Sequence, residues 1–285
     1  DDHVLVIDAE WDCNWVQALE GLVDSAHAGI LHADVLARSR PAQVAADGDA
    51  ITGGLVPRLE VERTDFGLHY AAIRPGVGAG GADQVRVTAY VAPFLCFIAP
   101  AGMAFLTVPV DDTHTRFFNV WWSDADRLDA GPAHDAALRI WGVDEATLVA
   151  TGMVPLMPPP GPIPPRNVFA QDRAGMRAGT TTTGLSGITA EDAACAVVAG
   201  PLVDRSKEHL VPSDLAVIRT RRVLLDGAAA LAGPGGFGFA TAKTAPGDIG
   251  AASGDIAAGG DWRGLVPGHV ALDGPADPGP ESAGP

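Results

Sequence analysis

The spacing of apolar and polar positions shifts along the chain, and each shift predicts a different element. Val4-Leu5-Val6-Ile7 is an apolar run suited to a strand or to the entry segment (1–12) from an upstream domain. From 13 to 32, Trp15, Leu19, Leu22, Val23 and Leu31 recur at helical spacing and predict an amphipathic helix. Residues 33–56 lack a period and read as a surface excursion. Between 58 and 122 the pattern becomes strand-like, over 59–63, 68–73, 85–91, 104–110 and 115–122. β-branched and aromatic residues are enriched there, and Gly, Pro or Asp stand in the gaps. The short connections predict an antiparallel meander. Pro109, followed by Asp111-Asp112, ends one strand. Helical signals cover 133–141, 189–204 and 213–231, and the proline-rich stretch 155–165 reads as an extended spacer loop. Residues 232–285 are mostly Gly, Ala, Pro and Asp with few large apolar side chains, so a largely disordered tail is expected.

Composition narrows the class. With 285 residues and 47% hydrophobic content the chain can bury a sizeable core. A formal charge of −16 argues against nucleic acid, and Arg219, Arg221 and Arg222 are too few to offset it. Cys13, Cys96 and Cys195 share no close spacing, so neither a disulfide framework nor a zinc knuckle follows and a reducing cytoplasm is expected. No apolar run approaches the ~20 residues a membrane helix requires.

Candidate chemistry lies at the start. Asp24, His27 and His32 form an Asp-x2-His-x4-His spacing. On one helix Asp24 and His27 are neighbours, whereas His32 falls about 140° beyond His27 at ~3.6 residues per turn. A turn loosened at Gly29 lets both imidazoles reach a common point. Two imidazoles and a carboxylate with open positions is the ligand set of non-haem Fe(II) oxygenases. Taken alone, the same residues also suit an ordinary amphipathic helix.

The flanking pattern Asn-Trp-x-Gln-Ala-Leu-Glu-Gly-x-x-Asp-Ser-x-His-x-x-x-x-His resembles the iron-binding segment of Rieske-type ring-hydroxylating oxygenases, most of all the phthalate dioxygenase and phenoxybenzoate dioxygenase group of α subunits. A second stretch agrees. Thr183-Gly-Leu-Ser-Gly-Ile-Thr-Ala-Glu-Asp192 leads into Gly200-Pro-Leu-Val-Asp-Arg-Ser-Lys-Glu-His-Leu210 and Ser213-Asp214, similar to the family's downstream segments. There the ligating aspartate falls on Asp192. Read without the resemblance, Thr189 and Asp192 form a helix-start variant of the capping box.

The resemblance implies an α+β helix-grip fold (START/Bet v 1-like), a curved antiparallel sheet with a long C-terminal helix, as a catalytic domain over 13–231. It implies mononuclear Fe(II) on His27, His32 and Asp192, with Asp24 holding a ligand histidine and bridging to a neighbouring subunit. Glu20 is expected near that bridge, and Asn14 and Trp15 as packing residues. Phe94, Phe97, Phe105 and Trp121 are candidate pocket lining, with Arg86 as a candidate carboxylate partner. The implied activity is O2-dependent hydroxylation or O-demethylation of an aromatic, carboxylated substrate, in a homotrimer fed by a ferredoxin or reductase. Three departures qualify it: Val197-Val198-Ala199 replaces Glu-Ser-Met, Glu191 replaces Gln, and no Cys-x-His or Cys-x2-His pair is present for a [2Fe–2S] Rieske cluster. The runner-up expectation is a helix-grip small-molecule-binding protein without working iron. A hydrolytic zinc enzyme ranks third, since no His-Glu-x2-His base is placed. His209 is read as structural, beside an ion-pair cluster of Asp204, Arg205 and Glu208.

Overall fold

The computed structural model describes residues 2–38, 56–99, 102–142, 169, 171–233, 244–266 and 268–272. The proline-rich stretch 155–165 and most of the excursion 33–56 lie outside them; within the latter, a short helix α3 forms at Ala33–Arg38.

The strands are β1 (Val4–Trp11), β2 (Arg58–Arg63), β3 (Gly67–Arg74), β4 (Asp83–Val91), β5 (Leu95–Phe97), β6 (Met103–Pro109), β7 (Thr115–Trp122) and β8 (Ala252–Ile256). They form one eight-stranded antiparallel sheet in the order β1-β7-β6-β5-β4-β3-β2, with β8 also on β4. The expected meander is therefore present. It contains one strand the pattern did not announce, β5, and the initial apolar run closes the far edge by pairing with β7. Pro109 does end β6, where a missing N–H does least harm.

Every residue of β3 and all but the last of β4 are buried, because both faces of these strands are covered. Leu68, Tyr70, Ala72 and Tyr90 point to the front and join the main core. The intervening Ala71, Ile73, Val85 and Val87 point to the back, against Trp262 and Val266. On the front, α1 (Trp15–Val23) lies over β6 and β7, while α7 (Leu215–Leu231) lies over β2 and β3. Also on the front, α6 (Ile188–Val198) packs on α1 and on α4 (Pro132–Trp141), and a short helix α5 (Arg173–Ala178) precedes it in the chain.

The covered back face overturns the expectation of a disordered tail across 244–272. β4 is nine residues long and β5 only three, so β5 pairs just 89–91. β8 pairs the remainder, from Asp83↔Ile256 to Val87↔Ala252. The segment contributes backbone hydrogen bonds to an otherwise open edge, and Trp262, 1% exposed, is its apolar anchor.

Two glycines bring α4 and α6 together. A Cβ on Gly142, at φ +65, would meet the Ser186 carbonyl at 2.2 Å, and one on Gly187, at φ +94, would meet Gly142 Cα at 2.2 Å. Only glycine fits that approach. It seats the C-terminus of α4, with Trp141, beside the N-terminus of α6, which carries Asp192. Gly187, not Thr189, is the N-cap of α6, and no side chain caps it; Thr189 lies inside the helix.

Candidate metal centre

The predicted helix over 13–32 is interrupted at Asp24, not loosened at Gly29. Asn14 caps its start by accepting from Val16 N at 3.0 Å. At Asp24 the backbone turns extended (φ −96, ψ 118). Its carboxylate then accepts from the backbone N–H of Ala26 at 2.7 Å and of His27 at 3.3 Å. Such local side-chain-to-backbone bonds compete with helix continuation. A one-turn helix, α2 (Ala28–Leu31), follows with Gly29 inside it and His27 and His32 at its ends. Short helix and bend together aim the two rings at one point.

Asp192 arrives there from α6. His27 Nε2 and His32 Nε2 are 3.2 Å apart, and Asp192 Oδ1 lies 3.5 Å from the first and 3.2 Å from the second. The opposite ring nitrogens are occupied. His27 Nδ1 faces Asp24 at 3.3 Å, and His32 Nδ1 faces Glu191 at 2.8 Å. These partners assign the ring hydrogens to Nδ1. Both Nε2 lone pairs then face each other and an anionic oxygen, an arrangement stable only with positive charge among them. Burial opposes protonation of His27, but Asp192 and Asp24 outweigh it and push the imidazole up to about 10. His32 is likewise raised against burial, chiefly by Asp192. Burial would raise Asp192, yet His32 and His27 hold it well below the usual carboxylate range. The site demands a cation, proton or metal. Among the described residues, His27, His32 and Asp192 are the His/Cys/Asp/Glu group whose donor atoms converge closely enough for one ion. Their separations match neighbouring ligands about an ion with bonds of ~2.0–2.2 Å.

Two cavities meet at this point. The inner one, about 100 Å³, is lined by Ile98, Met103, Phe105, Phe117, Ile140, Trp141 and Ile188 together with Arg86. The outer cleft, about 340 Å³, is lined by Glu20, Asp24, Cys195, Glu208 and Arg221 among others. His27, Asp24 and Asp192 border both.

Not every predicted residue is at the site. Arg86 is: it is 8% exposed, donates from Nη2 to Ser25 Oγ at 3.2 Å, and its Nε has no partner among the described residues. Phe105 is also in place. Phe97 is not. Register pairs Cys96 with Phe105, so alternation turns Phe97 to the other face, edge-on to Trp122 at 6.3 Å. Phe94 and Trp121 do not line the inner cavity either; Trp121 packs edge-on to Trp141 at 5.3 Å. Glu20 borders only the outer cleft, held by Arg221 at 2.7 Å and Arg205 at 3.0 Å. Glu208 joins that network through both arginines, whereas Asp204 pairs with Ser206 and Lys207 instead. His209 is exposed and outside the cluster. Sequence reasoning did not give a role to Ser25, Ile98, Ile140, Trp141, Ile188 or the carboxylate of Glu191. Two of them left a signal, Ser25 as a member of the flanking pattern and Glu191 as a departure beside the expected ligand.

The class these features define is an α+β domain carrying a two-histidine, one-carboxylate donor set between its helices and its sheet. The chain belongs to the family described as LigXa C-terminal domain like, whose model matches residues 1–275. It is 36% identical over 259 residues to the phthalate 4,5-dioxygenase oxygenase subunit of Pseudomonas putida, covering 88% of this chain and 56% of that protein. It is 31% identical over 242 residues to the 3-chlorobenzoate-3,4-dioxygenase oxygenase subunit of Comamonas testosteroni, covering 79% of this chain and 53% of that one. A crystal structure of dicamba monooxygenase bound to 3,6-dichlorosalicylic acid is similar with a TM-score of 0.40 and 16% identity, over 79% of this chain and 58% of that one. The resemblance read from 13–32 and 183–214 is thus borne out at the level of the family. The chain spans about half the length of the curated relatives it matches, 56% and 53% of them.

Proposed function

We propose that this chain is the catalytic domain of a Rieske-type oxygenase that hydroxylates or O-demethylates an aromatic carboxylate with O2, in the cytoplasm and as a homotrimer. The observation that carries the reading is the convergence of His27 Nε2, His32 Nε2 and Asp192 Oδ1 within 3.2–3.5 Å, each ring tied behind by its own carboxylate. These three would hold Fe(II), which in such a ligand set supplies dioxygen activation.

The chain's own residues do the rest. Phe105, Phe117 and Trp141 line a small apolar cavity beside the donors, suited to an aromatic ring. The guanidinium of Arg86 enters that cavity with Nε unpaired, a charged fork suited to a carboxylate. Asp24 keeps the His27 ring oriented and opens on the outer cleft, the side from which electrons would enter. The sequence has no paired Cys-x-His and Cys-x2-His, so those electrons would come from a [2Fe–2S] centre held elsewhere, replenished by a ferredoxin or reductase. Among the described residues no helix is long and apolar enough to cross a membrane.

Anaerobic reconstitution with Fe(II) tests the reading. About one iron per chain, lost in His27→Ala and Asp192→Ala, is the expected result. Equal iron in the parent and both variants, or none in the parent, would overturn it.

A further inference from the structure

Glu191 is the only residue of α6 with a fully buried acidic side chain, at 0% exposure. Burying a carboxylate costs several kcal/mol unless it is paired and hydrogen-bonded, so its surroundings should account for its presence. Both oxygens are engaged. Oε2 accepts from His32 Nδ1 at 2.8 Å, and Oε1 accepts from the Thr183 hydroxyl at 2.6 Å. Thr183 Oγ1 itself accepts from Leu185 N at 3.2 Å, which leaves its hydrogen committed to Glu191. The loop before α6 therefore fixes the carboxylate, and the carboxylate fixes the imidazole. The two donor histidines are served unequally: Asp24, behind His27, is 23% exposed at its side chain and borders the outer cleft, whereas Glu191 meets no solvent.

We propose that Glu191 is a positioning residue of the metal centre, locking His32 in the tautomer that offers Nε2 and placing an unscreened negative charge directly behind it. This rests on the metal-centre reading given above. A charged acceptor makes a ligand imidazole a stronger donor than a neutral one does, and the effect is largest where water cannot screen it. The resemblance expects Gln at this position, which can orient the ring but carries no charge. In this chain the site gains one extra anion. A bound ion would be held more tightly, and its oxidised form favoured, relative to an otherwise identical site with Gln.

Glu191→Gln isolates the charge. The amide can keep both contacts by facing its oxygen to His32 and its amino group to Thr183. Fe(II) affinity is measured anaerobically on the full chain, beside the Fe(III)/Fe(II) midpoint potential of the bound ion and the melting curve of the metal-free protein. The expected result is binding about 10-fold weaker or more, a higher midpoint potential, and an unchanged melting curve. Wild-type affinity and wild-type potential in E191Q would overturn the proposal and leave the metal centre standing. Failure of the parent chain to bind iron would instead overturn the centre, and this proposal with it. Should E191Q not fold, Thr183→Val releases one carboxylate oxygen without touching His32. A smaller loss of affinity supports the proposal, and none overturns it.

Discussion

His69 and Tyr70 are consecutive on β3 and point to opposite faces of the sheet, so one strand touches two different histidine pairs. On the front, Tyr70 meets Ser25 beside the His27–His32 pair; on the back, His69 pairs with His269. Ring centroids are 5.1 Å apart in both pairs. Their surroundings are not alike. Three carboxylates, Asp24, Glu191 and Asp192, approach the front pair. The back pair meets one, Glu62, bound to His269 Nε2 at 2.6 Å and already shared with Arg263. The shifts follow that difference. His27 is pushed up to about 10, whereas burial and then the charge of His269 push His69 down to about 4. The back cluster brings its own cation and satisfies itself, with His69 Nε2 donating to the Gly250 carbonyl at 3.2 Å. Close imidazoles do not by themselves make a metal site. An excess of anionic oxygen over cations is what calls for one, and of these two pairs the front has it.

Equalising the two charge balances should produce the largest effect. Asp192→Asn removes the anion common to both front rings and should abolish stoichiometric Fe(II) binding. Glu62→Gln, the corresponding change behind the sheet, should leave the stoichiometry unchanged by the same titration. Iron lost in both variants would mean that the two faces are not independent.

Next in size is the anchor of the back layer. Trp262 is buried at 1% exposure, lies tilted against His269 with ring centroids 5.1 Å apart and donates from Nε1 to Glu60 at 2.8 Å. Trp262→Ala should cost about 3–5 kcal/mol in urea denaturation, as large core truncations do. The folded fraction should keep the parent's Fe(II) affinity if the back layer only supports the sheet.

The opposite shifts also predict opposite pH limbs for the metal-free chain. His69 has a folded pKa near 4, below its ordinary value of 6.5. Between those values the unfolded chain binds the extra proton, so stability falls as pH drops from 6.5 to 4, by at most roughly 3 kcal/mol. His27 is the reverse. Its raised pKa gives stability fully present below 6.5 and lost as pH rises toward about 10. Urea midpoints across this range should show both limbs. His69→Gln should flatten the acid one and Asp192→Asn the alkaline one; a flat profile in the parent would contradict the assignment.

The two faces were unequally legible in the sequence. That Asp24, His27 and His32 meet Asp192 could be read because the flanking patterns resemble those of a family that brings such residues together, across the 159 positions that separate His32 from Glu191. Arg86 could be read as a strand position, but its direction depended on β4 pairing Ala72 opposite Arg86 on the front face. Phe97 was misplaced for the same reason: β5 is three residues long and too short to show alternation. The back layer was missed because composition averages away single anchors. β8 is Ala-Ser-Gly-Asp-Ile, held by backbone pairing with β4, and Trp262 and the short pair Leu265-Val266 are among the few large apolar residues that follow it. The break at Asp24 was hidden because a carboxylate bonding to its own following backbone leaves no trace in hydrophobic period.

The smallest effect concerns the contact that joins the front pair to the sheet. Ser25 is fully buried in the bend between α1 and α2, with its hydroxyl 3.1 Å from the Tyr70 hydroxyl and receiving Arg86 Nη2 at 3.2 Å. One side chain thus ties the histidine-bearing bend to β3 and β4. Ser25→Ala should cost about 1–3 kcal/mol, the penalty for leaving buried polar groups without their partner. Arg86 has little in reserve, since its Nε is already unpartnered among the described residues. The variant should therefore separate two quantities that a purely structural contact would move together. Thermal stability should fall slightly and Fe(II) affinity hold, while binding of benzoate, followed by calorimetry, changes because the guanidinium is no longer held from the side. Arg86→Met should abolish benzoate binding outright. If neither variant alters it, Arg86 is a buried structural cation and the proposed carboxylate preference falls, with the three proposed metal donors untouched.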